Sequence, residues 1–388
     1  MNQNETIESS LKKLEQYIND ESYRGYDPYD VLTSPLFTLP ILRSNRFIRL
    51  ASQQILKRSP LNIRPLLGIK KGYNPVTLGL ALQAIAYQIE ASPERTEALK
   101  TEGDRLVSEI EKSSSKGFSG YCWGYDFDWQ ARYATIPAHC PTIVATGFVT
   151  NALFIYYVAT HNAQAFDLCS SAAEFVLRDL HRTREDDGFC FSYSPNDTQV
   201  VYNATLKGAR LLSQVFLVTK KAVLLEEAKK TVRFVVNKQH ADGSWAYAHG
   251  DTRTWVDNFH TGYILDCLDE YITSSGHQEY AEALRRGLRY YINNFFFDNR
   301  IPKYYDKQTF PIDSTAIAQS ILTLARFGSV ETAVNVAMWA IENMQSNEGF
   351  FYYQKNKFHT NKISYMRWSN AWMFVALSYL RMRQNVLV

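Results

Sequence analysis

The sequence predicts an all-α fold, an (α/α)6 toroid or barrel of six helical hairpins joined by short Gly-aromatic strips that resemble β-hairpins. Three observations support this prediction. Six segments that are apolar nearly all round recur at intervals of 55 to 68 residues. Amphipathic segments with one polar face lie between them, and a strip of glycine and aromatic residues follows each amphipathic segment. Repeats of this kind extend one continuous core over a chain of 388 residues.

The apolar segments form the predicted inner helices. Because no face of such a helix is polar, neighbours must cover it on both sides. Each segment opens near Asn, Asp, Ser or Thr, whose side chains accept hydrogen bonds from the free N–H groups at a helix start. The predicted starts are Asn74, Thr142, Asn203, Asn258, Asp313 and Ser369.

The amphipathic segments form the predicted outer helices. In residues 223–239 the apolar side chains follow helical spacing, whereas Glu226, Glu227, Lys229, Lys230 and Arg233 make the opposite face polar. The predicted outer helices cover residues 97–111, 164–180, 223–239, 279–294 and 330–345.

The strips mark the turns between outer and inner helices, with glycine making the tight turn and aromatic side chains covering it. They lie at residues 120–125, 187–191, 242–245 and 347–353, and a further strip at 300–305 lacks the glycine.

The N-terminal region completes the predicted ring. Six inner helices require six outer ones, and only five lie beyond residue 73. Residues 7–18 and 47–56 are predicted helices, and we expect this region to provide the missing outer helix. The predicted organisation is an N-terminal segment, 1–73, that closes the ring, and a toroid, 74–388, within one continuous domain.

Composition excludes several classes of protein. The net charge of +3 is small, so nothing indicates binding to nucleic acid. Five cysteines without CxxC spacing and a polar N-terminus without a signal-peptide core predict a cytoplasmic protein. Residues 142–160 are apolar but are expected to be an inner helix and not a transmembrane segment. No HExxH, P-loop or GxGxxG motif occurs, so no metal and no cofactor is expected.

Two resemblances accompany this pattern. Gln239 followed by Gly243-x-Trp245, with Gln345 and Gly349-x-Phe351 as a weaker copy, resembles the Gln-Trp repeat of terpenoid-cyclase and prenyltransferase toroids. The Asp-rich acid motif of those families is missing. Residues 123–129 together with the Asn-Pro at 74–75 resemble proteins encoded beside bacterial surface-polysaccharide genes, and other six-hairpin toroids are carbohydrate-active hydrolases, lyases and epimerases.

The loops that precede the inner helices should converge on one end of the ring, the mouth, where helix N-termini also point. The polar and aromatic residues of these loops are therefore the candidates for chemistry. Carboxylates and histidines can transfer protons, whereas aromatic rings stack on sugars and arginines bind hydroxyl or acid groups. The predicted catalytic residues are Asp126, Asp128, His139, Asp257 and His260. The predicted substrate-binding residues are Trp123, Tyr125, Trp129, Arg132, Arg253, Trp255, Asp313, Tyr365, Arg367 and Trp368.

Each candidate also has a purely structural explanation. Aspartates in these loops can form turns and helix caps, and aromatic residues can simply fill the loop. Asn203 and Lys207 face the mouth only if their helix is rotated so that this side points to the axis of the ring.

The expected function is a carbohydrate-active enzyme, a hydrolase, lyase or epimerase, that acts on a bacterial surface polysaccharide or its oligosaccharide precursor by acid–base chemistry. The alternatives are a terpenoid cyclase or prenyl-lipid enzyme, and a non-catalytic glycan-binding or scaffold protein associated with a polysaccharide assembly machinery. A His/Tyr/Arg centre without a close carboxylate pair would favour a lyase or epimerase.

Overall fold

A computed structural model of the chain describes residues 2–386, and the fold is an α/α toroid, as predicted. The inner helices pack side by side in chain order, and the last returns to pack against the first. They are α4 (Pro75–Ala91), α6 (Ile143–Thr160), α8 (Tyr202–Thr219), α10 (Asn258–Ser275), α12 (Ser314–Arg326) and α14 (Trp372–Val386).

The outer helices cover this inner ring. Each of the last five packs against the inner helix that precedes it, and α1 packs against both α13 and α14. They are α1 (Gln3–Asp20), α5 (Thr96–Lys112), α7 (Ala163–Arg178), α9 (Ala222–Val236), α11 (Ala281–Asn294) and α13 (Val330–Met344). Helix α6 is long and apolar enough to cross a membrane, but most of it is buried inside the ring.

Short antiparallel strands occupy the connections. The two-stranded pairs are β1 (Trp129–Gln130) with β2 (Thr135–Ile136), β3 (Arg182–Glu185) with β4 (Gly188–Phe191), and β5 (Phe296–Phe297) with β6 (Ile301–Pro302). The three-stranded sheet contains β7 (Ile312–Asp313), β8 (Tyr352–Lys355) and β9 (Thr360–Ser364) in that order.

The Gln-Gly motif of the strips ties neighbouring outer helices together. The Gln239 side chain donates to Gly243 O and to Ala283 O of α11, both at 2.9 Å. Gln345 repeats the arrangement, donating to Gly349 O at 2.9 Å and to Ser10 O of α1 at 3.1 Å. Helix α1 therefore contacts Gln345 in the same way that α11 contacts Gln239, and so serves as the next outer helix after α13.

Three predicted helix caps need correction. Asn74, Thr142 and Asp313 cap their helices, but Asp257 and not Asn258 caps α10. Asn203 lies inside α8, which begins at Tyr202 without a side-chain cap. A π-helical turn, Met366–Ala371, precedes α14, so Ser369 is not its start. Asn370 in this turn accepts a hydrogen bond from Phe351 N, which joins the turn to the strip.

Residues between α1 and α4 form a small substructure against one side of the mouth. It contains α2 (Pro40–Ser44) and α3 (Arg46–Arg58). A cluster of buried apolar side chains and an ion pair between the buried groups of Arg64 and Asp30, 2.8 Å, hold it together. Gln53 of α3 accepts a hydrogen bond from Gln130 N of β1, which fixes α3 beside the loop that carries Trp129.

Replacing Gly349 with alanine tests the contact between the last strip and α1. Gly349 has φ of +100°, and an added Cβ would lie 2.4 Å from Lys13 O. Gly328 also has positive φ, +85°, but its added Cβ meets nothing within 4 Å. We expect Gly328→Ala to lower the free energy of unfolding by about 1 kcal/mol and Gly349→Ala by roughly 2 kcal/mol more. Urea titration measures both, and equal losses would contradict the contact with α1.

Candidate functional site

A cavity of about 570 Å³ lies at the end of the ring where the inner helices begin. It is called the central cavity below. Its wall is largely aromatic, with polar and charged groups placed between the rings. Other open grooves, such as that between α1 and α5 with its paired Glu102 and Arg105, lack this aromatic wall. The aromatic residues of the central cavity include Tyr125, Trp129, Phe148, Tyr193, Tyr247, Trp255, Phe259, Tyr263, Tyr304, Trp368 and Trp372.

His260 and Asp257 form a hydrogen-bonded pair in the wall. The Asp257 carboxylate accepts from the backbone N–H of His260 at 3.0 Å and lies 2.6 Å from His260 Nδ1. It also accepts from the indole N–H of Trp255 at 3.1 Å. His260 Nε2 has no hydrogen-bond partner within residues 2–386. The carboxylate therefore fixes the imidazole orientation and leaves one ring nitrogen available to a ligand.

Asp257 is the one carboxylate among the described residues that line the central cavity. Other carboxylates lie one layer behind and hold arginines of the wall. Asp27 binds Arg367 at 2.6 and 3.0 Å, and Asp251 binds Arg253 at 2.6 to 3.0 Å. The Nη1 atom of Arg367 has no partner in the described part of the chain, so it is a donor available to the cavity.

Asp313 likewise holds a side chain of the wall in place, the indole of Trp368. Both of its carboxylate oxygens lie 3.1 Å from Trp368 Nε1, and Gln354 donates to it at 2.7 Å. Burial raises the pKa of this carboxyl. The indole of Trp368 is thereby held against Tyr29 and Phe259, with ring centroids 5.7 and 6.0 Å apart.

Cations border the cavity on the side of α3. Lys57 donates to Tyr29 Oη at 2.6 Å, while Arg58 and Arg132 are exposed. None of these three side chains forms an ion pair with a residue of the described range. A ligand with a negative group would therefore meet positive charge that the protein itself leaves unneutralised.

The buried and half-buried tyrosines of the wall are hydrogen-bond donors and not bases. Burial is the main cause that raises the pKa of Tyr247, Tyr263 and Tyr304 above that of a free phenol. Their hydroxyl groups therefore keep their protons at neutral pH. His260, whose Nε2 atom has no partner in the described part of the chain, is the wall group suited to acid–base chemistry.

Lys207 lies beneath the floor of the central cavity. Its ammonium nitrogen is 3.8 Å from the ring centroid of Tyr263 and 4.4 Å from that of Phe148, and it has no hydrogen-bond partner. Burial lowers its pKa to about 7, with nearby Arg210 acting in the same direction and Asp266 opposing it. Lys207 thus approaches the mouth but is separated from the cavity by two aromatic rings.

The structure brings nine of the predicted site residues together in the cavity wall. They are Tyr125, Trp129, Arg132, Arg253, Trp255, Asp257, His260, Arg367 and Trp368. The remaining six lie outside it: Trp123, Asp126, Asp128, His139, Asp313 and Tyr365.

Contacts within the protein explain these six positions. Trp123 is fully buried and donates to Ile110 O of α5 at 2.8 Å, as Trp245 does to Val235 O of α9 at 3.0 Å, so both indoles fasten strips to outer helices. Asp126 accepts from the Asn74 side chain at 2.6 Å.

Asp128 binds Arg49 of α3 at 3.2 Å and accepts from Ala138 N at 2.9 Å. His139 has left-handed φ, +62°, in a separate surface groove. Tyr365 is buried edge-on against Tyr353. The stretch 123–139 therefore contributes aromatic walls and one arginine to the cavity, while its carboxylates face structural partners.

Several wall residues were not predicted from the sequence. Tyr29, Lys57 and Arg58 come from the N-terminal substructure, whose position depends on contacts far away in sequence. Tyr193 and Tyr247 each lie two residues beyond a strip identified in the sequence, in the loops that lead to inner helices α8 and α10, and this position was the available signal.

Comparison with known structures gives the fold. The sequence matches no protein-family model and no curated protein. Cellobiose 2-epimerase from Spirochaeta thermophila has a similar structure, with a TM-score of 0.60, 11% identity, and coverage of 81% of this chain and 87% of that chain. A GH76 α-mannanase from Bacteroides thetaiotaomicron has a TM-score of 0.61, 14% identity and the same coverage of 81% and 87%.

An unsaturated glucuronyl hydrolase specific for heparin is similar over 99% of this chain and 97% of its own, with a TM-score of 0.61 and 12% identity. These similarities establish an α/α toroid of the kind found in carbohydrate-active enzymes. In the described residues, no three His, Cys, Asp or Glu side chains are arranged to bind a metal ion.

Replacing Lys207 with methionine should stabilise the fold. Removing a buried amine without a hydrogen-bond partner is expected to raise the free energy of unfolding by about 1–3 kcal/mol at pH 7. The unfolded chain keeps the lysine proton up to about pH 10, whereas the folded protein loses it near pH 7. The wild-type stability contributed by this group therefore rises with pH between these values, and Lys207→Met should remove that rise.

Urea unfolding at several pH values between neutral and alkaline measures the effect. Exposed Lys221, replaced in the same way, is the control and should change neither the stability nor its pH dependence. Destabilisation by Lys207→Met would show that the ammonium group has a partner that compensates its burial.

Proposed function

We propose that this protein is a saccharide-modifying enzyme that transfers a proton at a sugar carbon, as an epimerase or lyase does. The observation that carries the proposal is the pair of His260 and Asp257, 2.6 Å apart, in an aromatic cavity with no second carboxylate among its described lining residues. Hydrolysis of the usual kind needs two carboxylates flanking the bond that is cleaved. The arrangement supports the epimerase or lyase possibility over the hydrolase one.

The wall residues fit roles in such a reaction. His260 Nε2 would accept the proton from a carbon next to a carbonyl or carboxylate group, and Asp257 would stabilise the resulting imidazolium. Negative charge then develops on the substrate oxygen. The Arg367 guanidinium, fixed by Asp27, and the neutral hydroxyls of Tyr263 and Tyr304 would stabilise that charge.

The substrate fits an oligosaccharide or polysaccharide precursor. The rings of Trp129, Trp255 and Trp368 provide faces on which sugar rings stack, and Lys57 and Arg132 favour a saccharide with acid groups. The solved structures of the same fold support this substrate class, since their named activities are on saccharides. A surface polysaccharide of a bacterium, modified in the cytoplasm, is the form of substrate we propose.

Two alternatives fit the cavity less well. A prenyl-lipid enzyme would have an apolar aromatic cavity, whereas arginines and phenol hydroxyls are interspersed between the rings here. A glycan-binding scaffold would not need titratable groups in contact, whereas His260 and Asp257 are hydrogen-bonded. Both observations favour an enzyme that acts on a polar substrate.

His260→Gln and Asp257→Asn should each lower turnover by at least about 100-fold. Asparagine retains the helix cap that Asp257 provides, so the second variant should keep the fold. His249→Gln, outside the central cavity, is the matched control and should retain wild-type turnover.

The assay follows a panel of reducing disaccharides and uronate oligosaccharides by NMR, with each variant's melting curve recorded beside it. Full turnover in a folded His260→Gln protein would rule out the proposed base.

A further inference from the structure

One region of the chain is strongly basic although the whole protein is not. Residues 31–89 contain eight lysines and arginines and no aspartate or glutamate. Residues 349–388 also contain no acidic residue, and the β8–β9 hairpin carries Lys355, Lys357 and Lys362. Since the whole chain has a net charge of only +3, the remainder is net acidic. The net positive charge is therefore concentrated in these two segments.

The same two segments carry the most exposed large apolar side chains. In the described residues, six such side chains are at least 70% exposed, and all six lie here. They are Ile41, Phe47, Ile55, Leu61, Leu66 and Phe358, with exposed fractions of 70% to 89%. Apolar groups as exposed as these, grouped with cations, mark an interaction surface.

Contacts bring the two segments together. The Asn361 side chain in β9 donates to Ser59 O, directly after α3, at 2.9 Å. Helix α3 buries Gln53 and Leu56 against the protein, while Phe47 and Ile55 are exposed. Because Phe47 and Ile55 are eight residues apart, they lie on one stripe of the helix. Exposed Arg46 and Arg58 flank that stripe.

We propose that this basic-apolar surface, formed by residues 36–66 and the hairpin tip at 355–362, docks on an anionic lipid bilayer. Apolar side chains that project between lysines and arginines suit the interface, where they enter the acyl region while the cations meet phosphate groups. A second copy of the chain is disfavoured as the partner, because two surfaces of like charge would repel each other.

The position of the surface has a consequence for the central cavity. Leu50, Gln54, Lys57 and Arg58 of α3 line the cavity, so α3 belongs to both the docking surface and the cavity wall. A saccharide carried on a lipid in the same bilayer would reach the cavity from that side. This consequence rests on the proposed function, whereas bilayer binding itself does not and is tested without any enzyme assay.

Vesicle co-sedimentation of the full-length protein tests the docking surface. We expect binding to vesicles of equal parts phosphatidylcholine and phosphatidylglycerol, weak binding to phosphatidylcholine alone, and loss of binding as salt is raised. Arg43→Gln and Lys357→Gln should each weaken partitioning about fivefold. The triple change Phe47→Ser, Ile55→Ser and Phe358→Ser should abolish it.

The matched control removes exposed apolar side chains elsewhere. Val223→Ser with Phe297→Ser should bind as the wild type does, since those residues are 59% and 57% exposed but lie outside the basic region. Melting curves establish that each variant is folded. Absence of binding to the anionic vesicles, or equal binding by the folded triple variant, would overturn the proposal. So would a dimer, detected by light scattering, that the triple variant abolishes.

Discussion

The closure of the inner ring is the constraint on which the rest of the structure depends. Helices such as α4 and α6 are apolar on nearly all faces, so each must be covered by neighbours on both sides and by an outer helix behind. Six helices that meet this requirement form a closed ring with all their N-termini at one end. The loops before those N-termini are then forced together, and the central cavity is the space that they enclose.

Carboxylates around this cavity mostly hold other side chains in place. Asp27 fixes Arg367, Asp251 fixes Arg253, and Asp313 fixes the indole of Trp368. Asp257 fixes His260 and Trp255 while it caps α10. Such contacts preorganise the wall before a ligand arrives, so less side-chain ordering remains to be done on binding. Because these carboxylates are engaged in such contacts, His260 is the side chain of the wall best placed to exchange a proton.

Local sequence was sufficient to predict the elements and one edge of the site. Asp257 and His260 are three residues apart at a helix start, so their contact follows from cap geometry alone. The roles of the carboxylates in residues 123–139 could not be predicted from local sequence. Asp126 and Asp128 are held by Asn74 and Arg49, which lie more than fifty residues earlier in the chain. The contribution of α3 to the cavity was missed for the same reason: nothing within residues 46–58 indicates which loop they contact.

The most direct measurement of the central claim is solvent exchange in deuterated water. The protein would be incubated with the saccharides of the panel, and the sugars examined by NMR and mass spectrometry. Proton transfer by His260 predicts one of two results. An epimerase would place deuterium at a carbon next to the sugar carbonyl or uronate group, and a lyase would produce new reducing ends together with an unsaturated uronate. New reducing ends with only saturated products and no deuterium on carbon would contradict the account and indicate hydrolysis.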